Sequence, residues 1–169
     1  MRPSEKDYAP YYRGYVSEIK GDDILSILEK QLNSATKYFD SIPEEKGNYA
    51  YAEGKWSVKE VLGHVIDCER IFAARALCIA RGEKQSLPGF EQDDYVREAN
   101  FNKRTLSNLA DEFSLVRKSN LILFETFSDN ELNKRGIANE NEVTVRAILF
   151  IIAGHGLHHI KILKEKYGV

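Results

Sequence analysis

The chain has 169 residues, 43% of them hydrophobic and 30% charged, with a formal net charge of −2. That length fits one domain whose core needs no disulfide support, and a nearly neutral chain has little electrostatic attraction to nucleic acid or an anionic membrane. The first residues lack the apolar stretch of a secretory signal, and the longest uncharged run, Ala147 to Ile160, is too short to span a bilayer. We therefore expect a cytoplasmic protein that has neither nucleic acid nor membrane as a partner.

Residues 1–21 are predicted to form an arm separate from the main domain. The segment contains two prolines, which disfavour regular helix, and four tyrosines, Tyr8, Tyr11, Tyr12 and Tyr15. Aromatic rings bury large apolar areas against a neighbouring surface. We predict an irregular arm held on the body of the protein by these rings, with residues 22–169 forming the domain itself.

The first two long helices have recognisable beginnings and ends. Asp22 and Asp23 place acidic side chains at the positive end of a helix dipole, apolar residues then recur with the helical period, and Ile42-Pro43 ends the helix. The second helix begins with the capping box Ser57-Val58-Lys59-Glu60, in which the serine and glutamate side chains each accept a hydrogen bond from the other residue's backbone N–H. Its apolar face continues to Arg81-Gly82, where we expect the helix to end.

The rest of the chain predicts two more helices joined by long connections. A loop rich in Pro, Gly and Asp, residues 82–94, leads to a third helix at about residues 103–127, and the last helix spans about residues 144–167. No stretch alternates with period two for long enough to indicate a strand. Four helices of roughly 20 residues with one or two long connections predict an all-α four-helix bundle.

All four histidines fall on two of the predicted helices. In the last helix, His155 and His159 are four residues apart, which places both imidazoles on one face, one turn apart. Helices present two nitrogen ligands to a single metal ion with this spacing. His64 lies beside the apolar stripe of the second helix, so that three imidazoles can converge. The pattern predicts one divalent transition-metal ion, with zinc and nickel as the best candidates, although buried histidines can also be hydrogen-bonded core residues.

The neighbours of the histidines leave alternatives open. His158 lies on an adjacent edge of the last helix and can replace His159 as a ligand or face solvent. Asp67 and Cys68 follow His64 by about one turn, and either can supply a fourth ligand. Asp67 can instead accept a hydrogen bond from a ligand imidazole or act as a general base. Cys68 fits equally a small buried hydrophobic residue.

Two charged residues and three glycines near the histidines also have two interpretations. Glu69 can belong to a solvated helix face or to the site, and Arg117 can point to solvent or into a cavity. Gly63, Gly154 and Gly156 lie inside predicted helices, where each costs about 1 kcal/mol relative to alanine. Such a cost favours positions where helices approach closely or where a ligand needs room beside a metal.

A family resemblance follows from two separated blocks. The first is Trp56-Ser57-Val58-Lys59-Glu60-Val61-Leu62-Gly63-His64-Val65-Ile66-Asp67, and the second is Gly154-His155-Gly156-Leu157-His158-His159. Together they resemble the DinB/YfiT-like superfamily of metal-dependent enzymes, and the likeness covers nearly the whole chain. The resemblance implies an up-down-down-up four-helix bundle with a long crossover, commonly a homodimer, with His64, His155 and His159 as the metal ligands.

The resemblance also suggests an activity, because some members are thiol-dependent transferases and isomerases that use low-molecular-weight thiols, whereas others are named hydrolases. A three-histidine site with open positions can serve either chemistry, since it can bind water or a thiolate. We expect a metal-dependent transferase that acts on a small molecule with such a thiol. The alternatives are a metal-dependent hydrolase, with Asp67 as its candidate catalytic residue, and a non-catalytic metal-binding helical dimer.

Overall fold

A computed structural model describes all 169 residues, and most of them are helical. Four long helices correspond to the four predicted ones, with ends that differ by a few residues. The helices are α1 (Arg13–Glu18), α2 (Ile24–Asp40), α3 (Val58–Ala80), α4 (Gln92–Ala99), α5 (Leu106–Glu125), α6 (Asp129–Leu132) and α7 (Val145–Ile162), which a π-helical turn (Leu163–Tyr167) extends. The predicted capping box is present at the start of α3, where Ser57 accepts from the Glu60 N–H at 3.2 Å and Glu60 from the Ser57 N–H at 2.7 Å.

The direction of each long helix follows from its side-chain contacts. Ser57, just before α3, bonds to Asn102, just before α5, while Glu69 farther along α3 bonds to Arg117 farther along α5. These two helices are therefore parallel. Comparable contacts make α2 antiparallel to α5 and parallel to α7. The result is the expected four-helix bundle in up-down-down-up order, in which α2 packs on α5 and α7, and α3 packs on the same two helices.

A β-hairpin contradicts the expectation that the chain contains no strand. Its strands, β1 (Arg135–Ala138) and β2 (Asn141–Thr144), have four residues each, too few to show a clear period of two. Asn139 and Glu140 connect them with φ values of 48° and 62°, the left-handed conformation that a two-residue hairpin turn requires at both positions. Leu87 exchanges backbone hydrogen bonds with the hairpin and ties the loop after α3 to it.

Two other segments are more regular than predicted. The arm is not irregular throughout, because residues 10–18 form a short 3-10 turn followed by α1, which packs on α7. Gly154 permits this close packing, since a Cβ atom there would lie 2.2 Å from the backbone oxygen of Tyr15. The long connection after α3 also contains a helix, α4, that sequence periodicity did not indicate. Both segments gain their order from packing on the bundle rather than from local pattern.

The apolar interior forms two clusters with polar side chains between them. On α3 the division falls between Ile66 and Cys68, and comparable divisions occur on α5 and α7. Glu69, Arg117 and His155 are buried near this boundary. The last helix is long and apolar enough to cross a membrane by composition, with a mean hydropathy of 1.2, but 61% of that stretch is buried in the bundle. This burial is typical of the core helix of a helical bundle.

Candidate metal centre

The bundle brings three predicted ligands, His64, His155 and His159, to one point. His155 and His159 lie one turn apart on α7, and His64 reaches them from the antiparallel helix α3. The Nε2 atom of His155 is 3.1 Å from Nε2 of His64 and 3.1 Å from Nε2 of His159. The ligand atoms of all three lie within 4.8 Å of one another.

These distances fit a single metal ion. With metal–nitrogen bonds of about 2.0–2.1 Å, two ligands of a tetrahedral ion are about 3.3 Å apart. The hydrogen-bonding chemistry agrees, because Nε2 of His155 has either one proton or one lone pair and cannot form two good hydrogen bonds with its neighbours. In addition, Nδ1 of His159 is buried and has no hydrogen-bond partner. The residues present therefore suit a cation that three nitrogen lone pairs can share.

Burial keeps the three imidazoles neutral. It lowers the pKa of His64 to about 4, against a weaker opposing effect of Asp93, and lowers the pKa of His159 to about 3. The pKa of His155 lies well below its ordinary value, first because of burial and then because of the neighbouring histidines. Neutral imidazole is the form that binds metal. At neutral pH the free cluster therefore has its lone pairs available.

Aromatic rings surround the cluster and restrict the orientation of the imidazoles. The Trp56 ring centroid is 4.7 Å from that of His64. His155 contacts the rings of Tyr15 and Phe72 edge-on, at 5.6 and 5.9 Å. Since Tyr15 belongs to α1, the arm forms part of the wall of the site.

The other residues considered as ligands lie outside the three-histidine group. Cys68 Sγ is 3.6 Å from His64 Nδ1, and burial raises the pKa of this thiol to about 12, so that it stays protonated. His158 is partly buried, with its ring 5.1 Å from that of Tyr15. Asp67 is half-buried on α3 and is not a member of the group. Burial raises the pKa of Asp67, and the charged residues that influence it, Arg70, Arg104 and Glu112, lie on α3 and α5 or just before α5.

The structure distinguishes the alternatives for the two charged residues and for two of the three glycines. Glu69 and Arg117 are both buried, and they form a bidentate ion pair between α3 and α5. Gly63 and Gly154 allow close packing, against the Phe101 ring and the Tyr15 backbone respectively. Of the two expectations for these glycines, close packing is therefore the one that the structure shows.

A pocket of about 300 Å³ opens onto the cluster, and most of its other lining residues were not expected from the sequence. His64 and His155 form part of its wall, together with rings from the arm and from the loop after α3. Arg75 and the hairpin residues Asn139 and Asn141 also line it. Arg75 had a readable signal, because His64, Cys68, Phe72 and Arg75 recur at helical spacing on one face of α3.

Comparisons with known proteins agree with this fold. A sequence model of the DinB superfamily matches residues 27–163. The chain belongs to the DinB superfamily. A curated relative from Oceanobacillus iheyensis, provisionally named a metal-dependent hydrolase, is 20% identical over 146 residues, which cover 83% of this chain and 81% of that protein.

Solved structures extend the comparison of this DinB protein to three dimensions. YfiT from Bacillus subtilis, described as a probable metal-dependent hydrolase with an unusual four-helix bundle topology, superposes with a TM-score of 0.76 at 14% identity, covering 99% of this chain and 94% of YfiT. A mycothiol-dependent maleylpyruvate isomerase superposes with a TM-score of 0.69 at 9% identity, covering 86% of this chain and 61% of the isomerase. At these identities the superpositions establish the DinB fold alone.

Proposed function

We propose that the protein is a metal-dependent enzyme in which His64, His155 and His159 hold one zinc or nickel ion. The observation that carries the proposal is the convergence of three neutral imidazoles, two of which, His64 and His155, line a pocket of about 300 Å³. A structural zinc site is usually closed by four ligands. Three ligands beside a pocket favour a site with room for a small molecule.

The residues of the pocket support a specific division of roles. When bound, a divalent ion would supply Lewis acidity to a water or thiol ligand. The three histidines would fix its position, and the aromatic rings of Trp56 and Phe72 would keep their imidazoles oriented. The arm would exclude bulk water from one side, because Tyr15 covers His155.

We propose thiol transfer as the reaction, with a small electrophilic molecule as substrate. Cys68 is the one protein thiol at the pocket, and burial keeps it protonated, so the reacting thiol would come from a low-molecular-weight compound. Asp67 is not grouped with the histidines, which weakens the case for a carboxylate base that activates water. The similarity in fold to a mycothiol-dependent isomerase is consistent with this choice.

Hydrolysis is the second candidate, and the names of two relatives favour it. In that case Asp67 is the proposed catalytic carboxylate. Its side chain would either move toward the histidines or act on the substrate through a bridging water molecule. An ester or amide would be cleaved without added thiol, and Asp67→Asn would lower the rate while leaving the metal content unchanged. Assays of both substrate classes, with thiol and chelator as the variables, separate the two reactions.

We also propose a cytoplasmic homodimer, as expected for this family. The exposed side of α5 offers a candidate contact surface, since Leu115 and Ile122 are 66% and 69% exposed and lie two turns apart. Sedimentation equilibrium of the wild type and of a Leu115→Lys/Ile122→Lys variant tests this assignment. A monomeric wild type would contradict it.

Metal analysis of protein purified without a histidine tag tests the central proposal. We expect about one equivalent of zinc or nickel per chain, because imidazole ligands favour late first-row ions. His64→Ala, His155→Ala and His159→Ala should each reduce the bound metal strongly, whereas the matched control His158→Ala should not. Full metal retention in a His155→Ala/His159→Ala variant would refute the site. Metal that is bound and raises the melting temperature, without turnover of either substrate class, would favour the non-catalytic alternative.

A further inference from the structure

A second polar feature of the pocket is a buried arginine without an acidic partner. Arg75 lies on α3, is 7% exposed and lines the same pocket as His64 and His155. No carboxylate lies within ion-pair distance of its guanidinium, although twelve other ion pairs occur in the protein. Burial of a charge is costly unless a counter-charge or hydrogen bonds compensate for it. The chain thus carries a buried cation whose counter-ion it does not supply.

The hydrogen bonds of Arg75 leave part of the guanidinium free. Its Nη2 donates to the carbonyl oxygen of Pro88 at 2.6 Å. Apart from a contact with the Tyr12 hydroxyl, which is close enough for a side-chain hydrogen bond to influence its pKa, the guanidinium has no other protein acceptor. Glu91, the one acidic residue that lines the pocket, is exposed. The remaining N–H groups are therefore available to a molecule in the pocket.

Aromatic rings hold the guanidinium in place. Its central carbon lies 5.7 Å from the ring centroid of Phe72 and 5.8 Å from that of Phe90, distances at which a cation is attracted to a ring face. Phe72 also contacts His155, so it lies between the arginine and the histidine cluster. Tyr12 on the arm lines the same pocket and interacts with Arg75. Its pKa is raised by burial, and Arg75 opposes that rise, so its hydroxyl keeps its proton and can donate a second hydrogen bond.

We propose that Arg75 binds the carboxylate of the substrate, so that the enzyme acts on small organic acids with an apolar or aromatic body. A guanidinium presents parallel N–H donors that match the two oxygens of a carboxylate. The Phe72 ring contacts both Arg75 and the metal ligand His155, so one small molecule can reach from the guanidinium to the metal ligands. This assignment deepens the proposed function by naming the substrate class of the same pocket. It rests on the charge and contacts of Arg75 rather than on metal binding.

Calorimetric titration of the metal-free protein with benzoate and with benzamide tests the assignment. The two probes have nearly the same shape and differ in charge. We expect benzoate to bind at least about tenfold more tightly than benzamide, as a charge-assisted bidentate contact implies. Arg75→Gln should abolish the preference, and Arg75→Lys should retain part of it because the charge remains. The matched control is Arg70→Gln, which removes an arginine of the same helix that does not line the pocket.

Stability measurements separate ligand binding from a structural role. If Arg75 serves the substrate, removing an unpaired buried charge should leave the melting temperature of Arg75→Met unchanged or higher, even though its hydrogen bond to Pro88 is lost. A large decrease would identify a structural arginine and overturn the proposal. So would a wild type that binds no benzoate, or a preference that survives Arg75→Gln. Failure of the metal proposal would appear instead as a low metal content of the purified protein. These titrations are made on metal-free protein and do not depend on that result.

Discussion

The two polar faces of α3 are organised in opposite ways. Toward α5, Glu69 accepts from Nε and Nη2 of Arg117 at 2.5 and 2.8 Å, and Asn120 adds a bond at 3.3 Å. Arg117 also donates to the backbone oxygen of Leu28. Glu69 and Arg117 therefore both have partners within the chain. Burial is nearly complete, since the side chains of both members of the ion pair are at most 2% exposed.

Toward α7 and the pocket, the polar groups of α3 lack such partners. His64 contacts other histidines and a weakly bonding thiol, and Arg75 has one backbone acceptor. The same helix therefore carries one polar cluster whose hydrogen-bond and charge partners lie within the chain, and another that lacks such partners. We infer from this difference that the first cluster stabilises the fold, and it is the reason for proposing that the second binds a ligand. Substitutions in the first cluster should therefore lower stability, whereas substitutions in the second should change ligand binding.

Removal of Glu69 should have the largest effect on stability. Glu69→Ala leaves the buried guanidinium of Arg117 without its counter-charge, and we expect a loss of about 3–5 kcal/mol in the free energy of unfolding, measured by urea denaturation. The metal bound per folded molecule should stay the same. A Glu69→Leu/Arg117→Met variant, which removes both charges, should recover much of the loss. Equal losses in the single and double variants would show that the pairing is not what stabilises this face.

The two faces were not equally predictable from the sequence. The capping box of α3 and the HxxxH spacing of α7 depend on local helix geometry, so they could be read residue by residue. The partner of Glu69 depends on how α5 packs on α3, and no local pattern encodes that contact. Arg75 follows His64, Cys68 and Phe72 at helical spacing, but the lack of a carboxylate partner for it is visible only in the three-dimensional structure.

Elements outside the bundle were the least predictable. The hairpin has strands of only four residues and is joined to the chain's earlier loop by Leu87, a contact distant in sequence. Its place in the pocket wall therefore could not be inferred. The arm was expected to lie on the body through its tyrosines, and Tyr12 and Tyr15 do contact Phe72 and His155. Its helix, α1, depends on the packing that Gly154 permits.

Acid should weaken the histidine face in the metal-free protein. Burial holds the folded-state pKa values of His64 and His159 at about 4 and about 3, whereas the unfolded chain titrates near 6.5. Between these values the unfolded chain binds more protons, so the free energy of unfolding decreases as pH falls below about 6.5. At pH 5.5 we expect a loss of about 1 kcal/mol for each buried histidine relative to pH 7.5, measured by urea denaturation with chelator present.

The control for this pH effect removes one titrating group. His159→Leu should reduce the pH-dependent loss by about one third, because two of the three buried imidazoles remain. Saturating zinc should raise the free energy of unfolding of the wild type by a similar amount at both pH values and leave the pH-dependent loss unchanged, because the folded-state histidines are already deprotonated over this range. A pH dependence that is identical in wild type and His159→Leu would show that the cluster is not its source.

The two glycines that flank His155 provide the most closely matched comparison, and the stability changes expected there are the smallest. A Cβ atom at Gly154 would lie 2.2 Å from the Tyr15 backbone, whereas at Gly156 the nearest atom is Nη2 of Arg117 at 3.8 Å, an ordinary contact. Gly154→Ala should therefore cost about 1–3 kcal/mol by overpacking and should expose the arm to proteolysis. Gly156→Ala should be neutral or gain up to about 1 kcal/mol, because alanine favours the helix. Urea denaturation and limited proteolysis of the two variants measure both effects, and equal effects at the two positions would contradict the packing of α1 on α7.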